Sequence, residues 1–213
     1  MGADKRRGTV EGLSILRGYF ARPAREALLT AIQGVMRKSP PFRPVMPRSG
    51  RPFSVMMTNC GPLGWVSDRA GYRYQTAHPE TGAPWPPMPD SLLSLWRDVA
   101  GYPAPPQACL VNIYSQTSRM GLHRDMDEET FSAPVISVSL GDTATFRIAT
   151  GRGKAPTRSF PLASGDVLIM GGAARLAYHG IDRIHDGSST LIAQGGRINL
   201  TLRRVTPALR SEG

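Results

Sequence analysis

The chain has little with which to build a disulfide framework. Only Cys60 and Cys109 occur among its 213 residues, and their spacing suits neither a cystine-stapled fold nor a zinc ribbon, so a reducing, cytoplasmic setting is expected. Histidine is also sparse, with His78, His123, His179 and His185 making up all four. No apolar run reaches the roughly 20 residues of a membrane-spanning helix. Lys5-Arg6-Arg7 has no hydrophobic stretch behind it, so neither a secretory signal nor a membrane anchor is expected. Negative charge is in deficit: 16 acidic residues against 26 Lys and Arg leave a formal charge of +10. That balance favours polyanionic partners without identifying one.

What is present points to one globular unit. A chain of this length with 40% hydrophobic residues can bury one good core and is short for two. We expect a mobile basic tail over residues 1–12 and a single domain over 13–213, with a monomer as the default state. From Pro23, the residues Ala27, Leu28, Ala31, Ile32, Val35 and Met36 recur at helical spacing. That helix should pack on a sheet and end before Ser39-Pro40-Pro41. Residues 39–89 are rich in Pro, Gly and aromatics, among them Trp65, Tyr72, Tyr74 and Trp85. A freely solvated linker tolerates such residues poorly, so a lid is expected. Asp90 is placed as the cap of a second helix whose buried side is Leu92, Leu93, Leu95, Trp96, Val99 and Ala100, with Gly101 closing it. Beyond it the pattern changes to period two at 109–114, 135–140, 143–149, 158–162, 167–170 and 197–205. Short strands and glycine turns of this kind make a sandwich or barrel, so the class is mainly β with flanking helices.

One stretch organises the rest. In Leu122-His123-Arg124-Asp125-Met126-Asp127-Glu128, an imidazole and a carboxylate lie two residues apart. In extended chain they point the same way and can share a metal ion. The best candidate for a third ligand is His179 in Ala177-Tyr178-His179-Gly180. Two His and one carboxylate form the facial triad of non-haem Fe(II) oxygenases, which leaves positions open for a cosubstrate and dioxygen. A His-x-Asp pair alone is an ordinary turn; its company gives it weight. In Arg197-Ile198-Asn199-Leu200-Thr201-Leu202-Arg203 every polar residue faces one side. Two inward arginines are costly unless they meet anions, and a dicarboxylate such as 2-oxoglutarate suits them because a guanidinium grips a carboxylate with parallel hydrogen bonds.

Together, Asn112-Ile113-Tyr114, His123-Arg124-Asp125, Tyr178-His179-Gly180 and Arg197 to Arg203 resemble, in order and spacing, the AlkB family of Fe(II)/2-oxoglutarate-dependent nucleic-acid dioxygenases. The likeness extends upstream through Met56-Met57-Thr58-Asn59-Cys60-Gly61, Leu63-Gly64-Trp65, Gly71-Tyr72-Arg73-Tyr74 and Pro84-Trp85-Pro86-Pro87-Met88-Pro89, and so covers roughly residues 53–205. It implies a double-stranded β-helix, or jelly roll, with its core at about 108–205 and an N-terminal nucleotide-recognition lid at about 39–89. It also implies that His123, Asp125 and His179 hold Fe(II). Arg197 would take the distal carboxylate of 2-oxoglutarate, with Asn199 and Tyr114 assisting and Asn112 and Arg203 nearer the chelating end. The implied reaction couples 2-oxoglutarate and O2, converted to succinate and CO2, to removal of N-methyl groups from 1-methyladenine or 3-methylcytosine in DNA and possibly RNA, with release of formaldehyde.

For the substrate, the family pattern places Trp65 and Tyr72 on the lid around the base, Met57 along the pocket, and Asp127 or Glu128 against the cationic ring edge. The target atom lies on the Watson–Crick face, so the base must be single-stranded or flipped out. Arg69, Arg73, Arg124, Arg152, Lys154 and Arg158 are candidates for phosphate contacts. The chemistry calls for no general acid or base, so His78 and His185 are expected at the surface. Met170 departs from the family pattern, which has a tryptophan before the paired glycines. Two other readings stand beside this one: an oxygenase acting on a protein or small molecule, and a non-catalytic barrel that binds single strands.

Overall fold

The structure is a computed structural model that describes residues 10–149 and 155–208. Two antiparallel sheets face each other. The larger contains β1 (Leu13–Leu16), β10 (Val167–Met170), β7 (Val135–Gly141), β12 (Arg197–Arg203), β5 (Ala108–Tyr114) and β2 (Met56–Cys60), in that spatial order. The smaller is β6 (Met120–His123), β11 (His179–His185), β8 (Thr143–Ala149) and β9 (Thr157–Leu162). A separate hairpin pairs β3 (Gly64–Asp68) with β4 (Gly71–Gln75). This mainly β arrangement is the jelly roll that the family resemblance implies.

Strand alternation divides the chain into two cores. On β12, Ile198, Leu200 and Leu202 point outward into one apolar cluster, together with Val138 and Leu140 of β7 and Cys109 and Val111 of β5. Two helices cover that face. Helix α1 (Arg22–Lys38) contributes Leu28, Leu29, Ile32 and Val35, and α2 (Asp90–Val99) contributes Leu92, Leu95 and Trp96. Burying a side chain of this size is worth roughly 1.5–3 kcal/mol. The second cluster lies between the sheets and holds Val135, Phe146, Ile148, Leu168 and Met170. The inward set of β12, namely Arg197, Asn199, Thr201 and Arg203, lines the cavity beside it.

Helix α1 starts at Arg22 with a proline in its first turn, and it ends at Lys38 as expected. Its Arg37 and Lys38 favour the negative end of the helix dipole. Helix α2 differs slightly from expectation. Pro89 occupies the capping position, no side chain caps the helix, and Asp90 is its first residue, where its charge still meets the positive end of the dipole.

Larger differences lie in what the periodicity concealed. The stretch 39–89 is only in part a cover: β2 belongs to the main sheet and pairs with β5 from Met56↔Ile113 to Cys60↔Cys109, while β3 and β4 form the cover proper. β2 is buried on both faces at Met57, Thr58, Asn59 and Cys60, so no alternation marks it. β6 and β11 were also illegible as strands. His78 is not at the surface. It is buried, with Nδ1 accepting from the backbone N–H groups of Glu80 and Thr81 and Nε2–H donating to the carbonyl of Pro40 at 2.8 Å. It ties the cover segment to the end of α1. His185 is half-buried and its Nε2 meets Thr145 Oγ1 at 2.8 Å. Residues 1–9 of the expected tail, and Arg152 and Lys154, lie outside the described residues.

Candidate metal centre and binding cavity

Strand register brings the two distant histidines together. β6 and β11 are antiparallel neighbours with His179 opposite His123, and residues directly opposite in such a pair project to the same face. Their ring centroids lie 4.5 Å apart. The loop after β6 returns Asp125, whose Oδ1 is 3.8 Å from His123 Nε2 and whose Oδ2 is 4.0 Å from His179 Nε2.

Each imidazole is held in one tautomer. His123 Nδ1 lies 2.9 Å from the carbonyl of Gly121, and His179 Nδ1 lies 3.0 Å from the carbonyl of Ala177. A carbonyl only accepts, so each Nδ1 carries a hydrogen, and each Nε2 is the ring nitrogen directed at Asp125. Orientation of ligating histidines by a bond from the other ring nitrogen is a general feature of metal sites. One candidate ligand atom from each of the three residues lies within 4.8 Å of the others. An ion with bonds of about 2.0–2.2 Å spans such a gap with small side-chain adjustment. Burial lowers the His179 imidazole to about 4, against a partial opposing effect of Asp125. Burial would raise the Asp125 carboxyl, but Arg203 and the two imidazoles outweigh it and hold the group well below the usual carboxylate range. A neutral His179 and an ionised carboxylate are what a divalent ion requires.

Gly180 makes this pairing possible. A Cβ there would stand 2.4 Å from the carbonyl oxygen of Met120 and 2.9 Å from that of Gly121. Both belong to the β6 backbone, which cannot swing aside as a side chain can. Gly180→Ala is therefore expected to push β6 outward and weaken Mn(II) binding roughly 10-fold, the order of effect seen when ligand orientation is disturbed. Titration of free Mn(II) by electron paramagnetic resonance checks this; wild-type affinity would show that β6 accommodates the methyl group.

The triad sits in a cavity of about 1200 Å³, and every metal, cosubstrate and base-pocket residue expected from the sequence lines it. At one end Arg197 is almost wholly buried, at 1% exposure. Its Nη1 donates to the carbonyls of Leu162 at 3.2 Å and Asp142 at 3.4 Å, and its Nη2 donates to Ser139 Oγ at 2.8 Å. Its Nε has no partner, and it pairs with no carboxylate among the described residues. Burial lowers this guanidinium to about 10. Asn112 Oδ1 on the same wall is also unpartnered. A buried cation with an unmet donor and no ion-paired carboxylate fits an anionic ligand. Asn199 is engaged with Ser137 Oγ at 2.7 Å and the carbonyl of Val138 at 3.0 Å, so it braces the wall. Burial pushes the Tyr114 phenol up to about 12, partly opposed by Arg197, and so keeps it a protonated donor.

Arg203 differs from Arg197 because its partners are present. It donates to Asp125 Oδ2 from Nη2 at 2.8 Å and from Nε at 3.2 Å, and Glu128 Oε1 lies 3.3 Å from its Nε. Glu128 is buried and accepts from the Tyr74 hydroxyl at 2.7 Å. Asp127, by contrast, is exposed at the mouth and accepts from Trp65 Nε1 at 2.7 Å. Trp65 stacks on Tyr72 with centroids 5.5 Å apart and planes 19° from parallel. Met57 on β2 is buried and lines the same cavity.

Among the arginines proposed for phosphate, Arg124 lines the cavity and lies over the Tyr178 ring at 4.7 Å. Arg73 is committed to Asp68 at 2.8 Å, Arg69 is exposed beyond the lining, and Arg158 stands exposed on β9. Sequence reasoning missed Arg48, Arg51 and Arg119, which are exposed on the lining. It missed Arg175 too.

The sequence profile of the 2OG-Fe(II) oxygenase superfamily matches residues 12–203 of this chain. The alpha-ketoglutarate-dependent dioxygenase AlkB homolog of Caulobacter vibrioides is 51% identical over 199 residues, which cover 93% of this chain and 90% of that protein. The alpha-ketoglutarate-dependent dioxygenase AlkB of Escherichia coli K12 is 42% identical over 197 residues, covering 91% and 90%. The solved structure of OsALKBH1 superposes with a TM-score of 0.77 at 30% identity, covering 91% of this chain and 96% of that one.

Proposed function

The chain belongs to the AlkB family of 2OG-Fe(II) oxygenases, and from that premise we propose that it removes N-methyl groups from 1-methyladenine and 3-methylcytosine in DNA, and in RNA where the strand can enter. It is an Fe(II)/2-oxoglutarate-dependent dioxygenase. His123, Asp125 and His179 would hold the iron. When bound, Fe(II) with 2-oxoglutarate supplies the oxidising power that inserts an oxygen atom of O2 into a C–H bond of the methyl group, yielding succinate and CO2. The hydroxymethyl product then sheds formaldehyde and leaves the unmodified base. The fold supplies the remaining requirements: position, dryness and charge.

Arg197 is the anchor for the distal carboxylate of 2-oxoglutarate, supported by its burial and its unpaired Nε. Arg203 grips Asp125 and so acts at the metal end. The base enters under Trp65 and Tyr72, whose faces attract the positive charge that N-methylation places on the ring. Asp127, oriented by the Trp65 indole, adds Coulomb attraction at the ring edge. Arg48, Arg51, Arg119 and Arg124 around the mouth suit the phosphates of a strand whose target base is single-stranded or flipped out. The protein is taken to act as a monomer in the cytoplasm.

The observation that carries this reading is the aromatic stack tied to Asp127 on the wall of the cavity that holds the triad, since an oxygenase of small acids has no need of such a wall. The test is incubation with Fe(II), ascorbate and 2-oxoglutarate on matched DNA and RNA oligonucleotides bearing either lesion, followed by mass spectrometry. Loss of the methyl mass with stoichiometric succinate is expected; succinate without any change in the oligonucleotide would point to another substrate. Trp65→Ala should lower repair by roughly 10-fold or more, in line with the ~1–3 kcal/mol of a base–aromatic stack, while uncoupled succinate formation persists. Equal loss of both activities would place Trp65 in the metal machinery instead.

A further inference from the structure

Arg175 is nine-tenths buried or more, at 2% exposure, in a function-free stretch of sequence: the 3-10 turn Gly172–Leu176, four residues before His179. An arginine is buried this deeply only when its donors are met. Its Nε donates to the carbonyl of Ala133 at 3.1 Å and its Nη1 to the carbonyl of Asp125 at 3.0 Å. Its Nη2 forms an ion pair with Glu128 Oε2 at 3.2 Å, without the alignment of a hydrogen bond. The Phe131 ring covers the guanidinium at 5.3 Å.

These contacts close a ring. Glu128 joins Arg175 on one oxygen and Arg203 on the other, and Arg203 returns to the Asp125 carboxylate. Asp125 is therefore held at both ends, its backbone carbonyl by Arg175 and its side chain by Arg203, with Glu128 coupling the two guanidiniums. Two carboxylates and two guanidiniums balance, so the ring is neutral when the Asp125 carboxylate is counted in it. Because the turn that carries Arg175 runs directly into β11, the same side chain links the segment bearing His179 to the loop bearing Asp125.

On the reading that His123, Asp125 and His179 hold the iron, we infer that Arg175, acting through Glu128 and the Asp125 carbonyl, is a positioning residue that sets divalent-metal affinity by keeping these two segments in register. Glu128 then belongs to this ring, and recognition of the cationic base falls to Asp127. Lysine cannot replace Arg175 fully, because one ammonium does not reproduce a planar fork that donates to two carbonyls while facing a carboxylate.

The experiment measures Mn(II) dissociation constants by electron paramagnetic resonance, together with melting of the metal-free proteins, for wild type, Arg175→Met, Arg175→Lys and Glu128→Gln. Arg175→Met is expected to weaken Mn(II) about 10- to 100-fold, the range for loss of an outer partner of a metal ligand. Arg175→Lys should recover part of that loss, and the near-isosteric Glu128→Gln should fall between wild type and Arg175→Met. If Arg175→Met does not fold, the comparison rests on the lysine and glutamine variants. Folded variants with lowered melting temperature but wild-type Mn(II) affinity would overturn the inference and leave Arg175 as a packing residue. Failure of the wild type itself to bind Mn(II) would instead overturn the metal site on which the inference rests.

Discussion

Replacing His179 with alanine is expected to lower both succinate formation and repair by roughly 10³-fold or more, the several kcal/mol that a bound metal supplies to its reaction. His179 is the ligand that bridges the two halves of the site: it lies opposite His123 across the strand pair, and its Nε2 is aimed at Asp125 by the bond from Nδ1 to Ala177. Without it, His123 and Asp125 remain as a chelate from neighbouring positions, and a first-row ion is held far less tightly. The fold should survive, because the removed ring is packed against Phe146, at 5.8 Å between centroids, and faces the cavity. Assays of succinate and of demethylated oligonucleotide, with circular dichroism as the control for folding, check this. Retention of more than a tenth of wild-type turnover would move the third ligand elsewhere.

Arg197→Met carries the second large effect, and it has two signs. A buried charged hydrogen-bonding partner lost from an anion site costs about 2–5 kcal/mol, so 2-oxoglutarate binding should weaken by roughly 10²-fold or more. The ligand-free protein should respond in the opposite direction. Arg197 is a buried cation with an unmet Nε and no ion-paired carboxylate among the described residues, Asp166 acting on it only from farther off, and exchanging such a group for an apolar side chain of similar volume is often neutral or stabilising. Melting curves with and without 2-oxoglutarate test both halves. The variant is expected to melt no lower than wild type when empty and to gain little from the cosubstrate. A sharply lower melting temperature for the empty variant would mean that the contacts to Ser139 and the two carbonyls already satisfy Arg197, and the anion site would have to be sought elsewhere.

How far the sequence was legible follows from what kinds of contact leave a pattern. The alternation of Arg197, Asn199, Thr201 and Arg203 against Ile198, Leu200 and Leu202 is visible because one face meets the helices and the other meets a polar cavity. The apolar stripe of α1 is visible for the same reason. β2 is buried on both faces, so its residues carry no period. β6 is four residues long, with Gly121 inside it and no β-branched residue, which makes it look like a turn. Asp90 carried a capping signal that Pro89 pre-empted. The triad itself could be proposed from His123 and Asp125, but the reason His179 completes it is a cross-strand register with β6. Arg175 could not have been found at all: two of its partners are backbone carbonyls 42 and 50 residues away, and carbonyls have no sequence. His78 escaped for the same reason, since its partners are also main-chain atoms.

The short strand β6 has a neighbour on one side only, since it ends the smaller sheet. Terminal strands of this kind fray before the rest of a domain, so amide hydrogens of residues 120–123 should exchange with deuterium early in the ion-free state. An ion bound to the last residue of that strand and to residues 125 and 179 would act as a clasp across the opening, slowing that exchange while leaving the helix-backed strands unchanged. Occupancy of the centre would then be readable in the protection of four consecutive amides, without any oxidation taking place.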